Sequence, residues 1–408
     1  MRLSTSWMYQ QSLGNLLNQQ STIATTQNQV STGKRIYVAS DDPAGAGQII
    51  SLSHILASNT QYSSNIDSAN SRISTEQTAL SSAGNLLDSA RSMAIQGING
   101  SLSSSDRVDM ATQLTQMRDQ LVQLANTTDS NGNAIFAGTS TTTAPFAKNA
   151  TGAVSYAGND ATLMASIGSG LQLPTSDAGS AVFMNVASGN GTFTASAGSS
   201  NAGTLVVGAN SVSNPAAWNS ASAASGGGYT ISFGANGSWK AADTHGNPVL
   251  DGSGNPVGGT YQDGGTVSFN GMSITMSGTP AAGDTVGVKA GGNQDIFTTL
   301  GNMITALQGS GSTTVLANSL NRQIESLDQA KGVLTGTEVA IGGRMNTLAQ
   351  QKTVYQDLNV TYQGALSGVQ NVDVYTAISN LSSQSVALQA SQQVFAKVGS
   401  MSLFNYIK

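Results

Sequence analysis

Leu52, Asn59, Ile66, Ile73, Leu80, Leu87 and Ala94 stand seven residues apart, and Ile55, Tyr62, Ala69, Glu76, Ala83 and Ala90 follow three residues behind. A repeat of seven keeps one stripe of an α-helix turned toward a partner helix, so this spacing demands a long helix with a packed seam. At 1.5 Å per residue it extends about 70 Å. Near the other end, Leu320, Leu327, Leu334, Ile341, Leu348, Tyr355, Tyr362 and Val369 form a second row of the same period. Ile324, Met345 and Leu366 fill its alternate positions with apolar groups, and Lys331, Glu338 and Lys352 fill others with charge.

Shorter seams flank these rows. Tyr9, Leu16, Ile23 and Val30 recur every seven residues, with Leu13, Gln20 and Gln27 interleaved. After "NVDVYTA" the register slips, and Val374, Ile378, Leu381, Leu388 and Phe395 carry a new seam. Both seams are diluted with Gln, Ser and Gly, so each end is expected to order on docking to neighbours. "SLSSSD" (101–106) offers a break and an N-cap before a helix carrying Met110, Leu114, Met117, Leu121 and Leu124.

From about Thr139 to Gly292 the seven-residue period disappears, and Gly, Ser, Thr and Ala surround short alternating apolar runs. "TVSFNGMSITMS" reads as a hairpin around Asn270-Gly271, a pair suited to two central residues of positive φ. "YTISFGANGSW" has the same form around Asn236-Gly237. The fold class is therefore α+β and multidomain: a long antiparallel helical bundle or coiled coil from the N- and C-terminal segments, with a central all-β domain inserted. The expected divisions are 1–42 with 365–408, 43–140 with 293–364, and 141–292.

The residues that look most like a site are "STGKRIYVASDDPAGAG" (31–47), because charged residues make up only 9% of the chain. A phosphate loop fails here: position 28 is Asn, and no Ser or Thr follows Lys34. Asp41 and Asp42 alone supply too few oxygen ligands for a metal. A joint between helices accounts for the charges better. Gly33 suits a left-handed helix stop, with Lys34 and Arg35 beside the negative end of that helix. Asp42 suits an N-cap, with Pro43 at the first helical position and Asp41 favouring the same terminus. Gly45 and Gly47 allow close backbone approach. That account leaves Ile36, Tyr37 and Val38 as bulky apolar residues in a linker, expected to be covered by a neighbouring molecule.

Little else suggests chemistry. The two histidines, His54 and His245, have no second imidazole near them in sequence, so neither is read as a metal ligand. There are no cysteines, which excludes disulfides and thiolate metal sites. There is no G-x-S-x-G elbow, and "DGSGNPVGG" (251–259) is read as turn chemistry. No catalytic residue, metal or cofactor is assigned. A net charge of −5 without any Lys/Arg-rich run argues against nucleic acid. No apolar run approaches the ~20 residues of a membrane span, so no membrane partner is expected. The start lacks an apolar signal-peptide core, which points to the cytoplasm or to export without a cleaved leader.

"STGKRIYVASDDPAGAGQI" closely resembles the loop after the first helix of the flagellins and flagellar hook-associated junction proteins. "MRLSTSWMYQQSLGNLLNQQ", "ANTTDSNGNAIFAGTSTTTAPF" (125–146) and "FAKVGSMSLFNYIK" look like the junction members rather than filament flagellin. Tyr37-Val38 departs from the smaller polar pair more usual there. The resemblance implies a non-enzymatic, extracellular axial protein of the bacterial flagellum, exported through the flagellar type III apparatus. It implies a homo-oligomeric ring between the first hook-associated junction protein and flagellin, with an export chaperone on the C-terminal helix. The contact residues it suggests are Gly33, Lys34, Arg35, Ile36, Tyr37, Val38, Asp41, Asp42, Pro43 and Gly45 in the joint. On the terminal helices they are Leu16, Ile23, Val30, Leu381, Leu388 and Phe395. The competing readings are a filament flagellin, or a rod displaying an adhesin or enzyme on the β module. Trp218 and Trp239 would be that module's candidate aromatics, though both read better as core.

Overall fold

The computed structural model describes residues 5–140 and 144–400, so the first four residues and "MSLFNYIK" lie outside it. Its helices are α1 (Thr5–Thr32), α2 (Pro43–Gly97), α3 (Ser104–Ala125), α4 (Pro215–Ala224), α5 (Ile296–Gln308), α6 (Thr313–Gln370) and α7 (Val374–Ser400). The chain divides into two compact units, with boundaries after Ser64 and after Ala349.

In the first unit α1 and α7 pair antiparallel. Ring centroids of Tyr9 and Phe395 lie 4.8 Å apart. Ser391 donates to Gln19 at 2.9 Å, and Thr26 donates to Gln384 at 3.1 Å. The start of α2 and the end of α6 also run antiparallel here, with Tyr62 stacked on Tyr355 and Asn59 bonded to Asn359 at 3.1 Å. These seams mix rings with amides and hydroxyls, as the Gln- and Asn-diluted repeats require.

The second unit has the drier core. Ile66, Ile73, Leu80 and Leu87 of α2 are buried with Leu320, Leu327, Leu334, Ile341 and Leu348 of α6. Emptying any one of these leucine sites costs about 2–5 kcal/mol. Arg91–Asp328 (2.7 Å) and Lys331–Asp88 (2.6 Å) fix the antiparallel register on the outside of this pair. α3 starts on a capping box, Ser103 with Asp106, and packs against α5. α5 begins on the Asp295 cap and buries Ile296, Phe297, Leu300 and Met303. The helical row of α2 also buries an acid: Glu76 is fully inaccessible.

The β region comprises β1 (Phe146–Lys148), β2 (Val154–Tyr156), β3 (Met164–Gly168), β4 (Leu171–Pro174), β5 (Val186–Ala187), β6 (Phe193–Ala197) and β7 (Val206–Val212). It continues with β8 (Gly228–Phe233), β9 (Ser238–Asp243), β10 (Gly258–Thr260), β11 (Thr266–Phe269), β12 (Met272–Ser277), β13 (Thr285–Ala290) and β14 (Asn293–Gln294). Five strands form one sheet in the order β10-β9-β8-β13-β6, and three form another, β11-β12-β7. All pairings are antiparallel, and the remaining strands make the pairs β1-β2, β3-β4 and β5-β14. Trp218, Tyr229, Ile231, Phe193 and Met272 lie in their shared core, and Trp239 packs against it half-buried.

The central antiparallel region carries one helix, with Asn214 capping α4, Pro215 at its first position and Trp218 on its buried face. One expectation is corrected here. The hairpin at 228–243 does not turn on two residues: four residues separate Phe233 from Ser238, and Asn236 and Gly237 take positive φ within them. The Asn270-Gly271 turn, by contrast, joins β11 directly to β12 with φ of 47° and 76°.

Helix α6 holds the edge of the smaller sheet. The β7 backbone is met by amide and charged side chains one and two turns apart. Val207 N donates to Asn318 at 2.7 Å, and Asn210 N donates to Glu325 at 2.9 Å. Asn321 and Arg322 donate to the carbonyls of Val207 and Gly208. Side chains thus take the place of a neighbouring strand, satisfying groups that an edge would leave open.

Candidate assembly surface

Gly33, with φ of 70°, ends α1 in the left-handed region. Asp42 caps α2, accepting the Gly45 N–H at 2.9 Å, and Pro43 opens the helix. Asp41 ties the intervening turn by accepting the N–H groups of Tyr37 and Val38, both at 3.0 Å. Those donors hold the Asp41 carboxyl below the usual carboxylate range, and the Gly45 N–H does the same for Asp42.

Arg35 does not serve the helix that precedes it. Its guanidinium donates to the Val369 carbonyl at 2.9 Å, at the C-terminal end of α6, and pairs with Asp42 at 3.3 Å. The negative helix end it meets is therefore that of α6, not α1. The backbone follows the same route: Arg35 N donates to Gln370 O at 2.7 Å, and Val372 N donates to Gly33 O at 3.0 Å. Lys34 and Asn371 form the antiparallel bridge between them. Asp373, bonded to Thr376, caps the start of α7. Two helix joints are zipped together through three consecutive residues of each.

Ile36 is not a surface for a neighbour, because it is buried within its own unit. A Cβ on Gly45 would stand 2.4 Å from Ile36 Cδ1 and 2.6 Å from Asp42 Oδ2, so glycine makes room for both the plug and the cap. Tyr37 and Val38 behave differently, being 66% and 47% exposed.

Further apolar groups of this unit face outward. Leu16, Ile23 and Val30 of α1 and Leu381, Leu388 and Phe395 of α7 are only half-buried on their shared seam. Trp7, Leu13 and Leu17 on α1 and Tyr375, Val386 and Val394 on α7 are exposed. Val374 and Ile378, expected on the seam, are exposed as well, and Ala377 takes the buried position. Sequence reasoning missed Trp7, Leu17, Tyr375, Val386 and Val394. The available signal was large apolar residues off the row of a helix that already has a partner.

No group of three or more His, Cys, Asp or Glu among the described residues is placed to hold a metal ion. His54 is exposed, and His245 is exposed beside Asp243 at 3.8 Å. None of the described helices is long and apolar enough to cross a membrane.

Residues 3–141 match the family described as the bacterial flagellin N-terminal helical region. Flagellar hook-associated protein 3 of Escherichia coli is 43% identical over 148 residues, covering 36% of this chain and 47% of that protein. The aligned stretch thus spans about half the length of that curated relative. A crystal structure of FlgL from Xanthomonas campestris is 30% identical, with a TM-score of 0.63, covering 71% of this chain and 92% of the other. The crystal structure of flagellar hook-associated protein 3 from Legionella pneumophila is 29% identical, with a TM-score of 0.71 and coverage of 79% and 98%. With the flagellin helical match at one end and FlgL structures matched almost throughout their length, the chain belongs to the FlgL family of flagellar hook-associated proteins.

Proposed function

We propose that this chain is a structural axial protein of the bacterial flagellum that joins the hook to the flagellin filament. The reading is carried by one observation: helices already paired in the first unit still expose large apolar side chains. Exposed apolar groups in such density mark an interaction surface. The occupants would be further copies of the chain in a ring, the first hook-associated junction protein on one side and flagellin on the other. An export chaperone would cover the C-terminal helix beforehand, and the chain would act at the cell exterior. Gly33, Arg35, Asp41 and Asp42 would act by shape, holding Tyr37 and Val38 where a neighbour meets them. No reaction chemistry is assigned.

Deleting residues 365–408 tests this reading. The truncated chain should remain soluble, with the circular dichroism of the second unit, and flagellin should appear in the medium unpolymerised. Normal filaments on cells carrying only the truncated chain would refute it, and filament loss without secreted flagellin would favour a filament subunit instead.

A further inference from the structure

Glu76 occupies a core position of α2 and has no access to solvent. Its Oε1 accepts the Asp177 backbone N–H at 2.8 Å, while Oε2 is buried without a partner. The segment it meets, residues 175–179, is itself enclosed: Thr175 and Ser176 are buried, and Gly179 N donates to Phe136 O at 2.9 Å. Asp177 accepts a hydrogen bond from Arg344 of α6. Arg72, one turn before Glu76, is committed to Asp129 at 2.7 Å and to the Ala134 carbonyl. The charged groups around Glu76 are therefore Asp177 on the segment, Arg344 on α6 and Arg72 on its own helix, the last two already neutralised by Asp177 and Asp129.

We propose that Glu76 is a proton-operated latch: its neutral carboxyl lets residues 175–179 seat on α2 and α6, and its ionisation unseats them. A buried carboxylate with one unpartnered oxygen beside a second carboxylate costs far more than the neutral acid in the same place. Burial foremost, and then the Asp177 charge, push the Glu76 carboxyl up to about 8. Release would fall on a weak stretch of α6. Gly336, Gly342 and Gly343 have open space where a side chain would stand, so packing does not require them, and glycine is a poor helix former. With Arg344 freed from Asp177, that stretch loses its tie to the segment.

Linkage sets the direction. Opening would solvate Glu76 and return it toward the ordinary 4.5, so between 4.5 and 8 the seated state holds a proton that the open state lacks. The opening constant then rises about tenfold per pH unit across that window and levels off above it.

Amide hydrogen exchange of the full chain from pH 5 to 9.5, corrected for intrinsic rates, reads that constant. Peptides spanning 175–184 and 336–348 should show the slope and the plateau. Glu76→Gln, which keeps the acceptor but cannot ionise, should make both flat. A flat wild type, or an unchanged slope in the variant, overturns the latch. Should the variant not fold, the wild type still decides. The chain has only three glutamates, Glu76, Glu325 and Glu338, so selective 13C labelling resolves their carboxyls. Glu325→Gln identifies the second buried one. A Glu76 carboxyl titrating near 8 supports the latch, and one titrating in the ordinary carboxylate range overturns it.

Discussion

The Arg35 guanidinium donates to the Val369 carbonyl oxygen at 2.9 Å, binding residues 334 positions apart in the chain. That bond makes one side chain the brace between the exit of α1 and the exit of α6. A cation at a helix C-terminus is worth about 0.3–1 kcal/mol, and its half-exposed pairing with Asp42 adds little. Arg35→Ala should therefore lower unfolding stability by no more than about 1 kcal/mol in a urea titration. Exchange at the Arg35 and Val372 amides should nonetheless accelerate, because their pairing loses its brace. Unchanged exchange there would show that the backbone bridge stands alone.

Gly45 and Gly47 sit in the same turn of α2 and should respond oppositely to alanine. At Gly47 the added methyl meets nothing within 4 Å, so the better helix former should raise stability by about 0.5–1 kcal/mol. At Gly45 it strikes Ile36 and the Asp42 cap, and overpacking of that kind costs about 1–3 kcal/mol. Thermal melts of the two variants read the difference in sign. A stabilising Gly45→Ala would mean that Ile36 does not seat under the helix.

The joints should loosen in acid. Asp42 is lowered chiefly by the Gly45 N–H, and Asp373 chiefly by the Thr376 hydroxyl. Carboxylates lowered in the folded state contribute stability above their ordinary value of 3.8, lost as pH falls through the folded value. Exchange at residues 44–46 and 374–377, corrected for intrinsic rates, should therefore rise between pH 5 and 3. Asp42→Asn keeps a good N-cap and should remove the effect at α2 only. The latch at Glu76 runs the other way, weakening as pH rises, so the two sites separate on one titration.

Much of this architecture is legible in the repeat. From Ile66 to Ala94 every member of the α2 row is buried, and Asn59, also in that row, reaches across to Asn359. Gly33 and Asp42-Pro43 mark their helix ends because capping is local chemistry. What the sequence hid was the long-range partner: nothing near Arg35 points to Val369. Val374 and Ile378 misled because the Asp373 cap resets the helical phase, and the small Ala377 holds the buried place beside larger neighbours. α4 escaped notice because its Ala- and Ser-rich run resembles the surrounding linker composition, although Asn214-Pro215 was a readable start. Glu76 was visible as a core position, but the Asp177 and Arg344 contacts that give it meaning come from distant segments.

We propose that the exposed apolar groups of the first unit are assembly contacts, and two tyrosines test this most directly. Tyr37, 66% exposed beside one joint, and Tyr375, 90% exposed beside the other, touch little within their own chain. Changing both to aspartate should leave the fold intact while opposing any apolar contact with a neighbour. In cells whose own copy is deleted, the doubly substituted chain should be exported and folded, and flagellin should accumulate in the medium without filaments. Filaments of normal number and length on those cells would contradict the account.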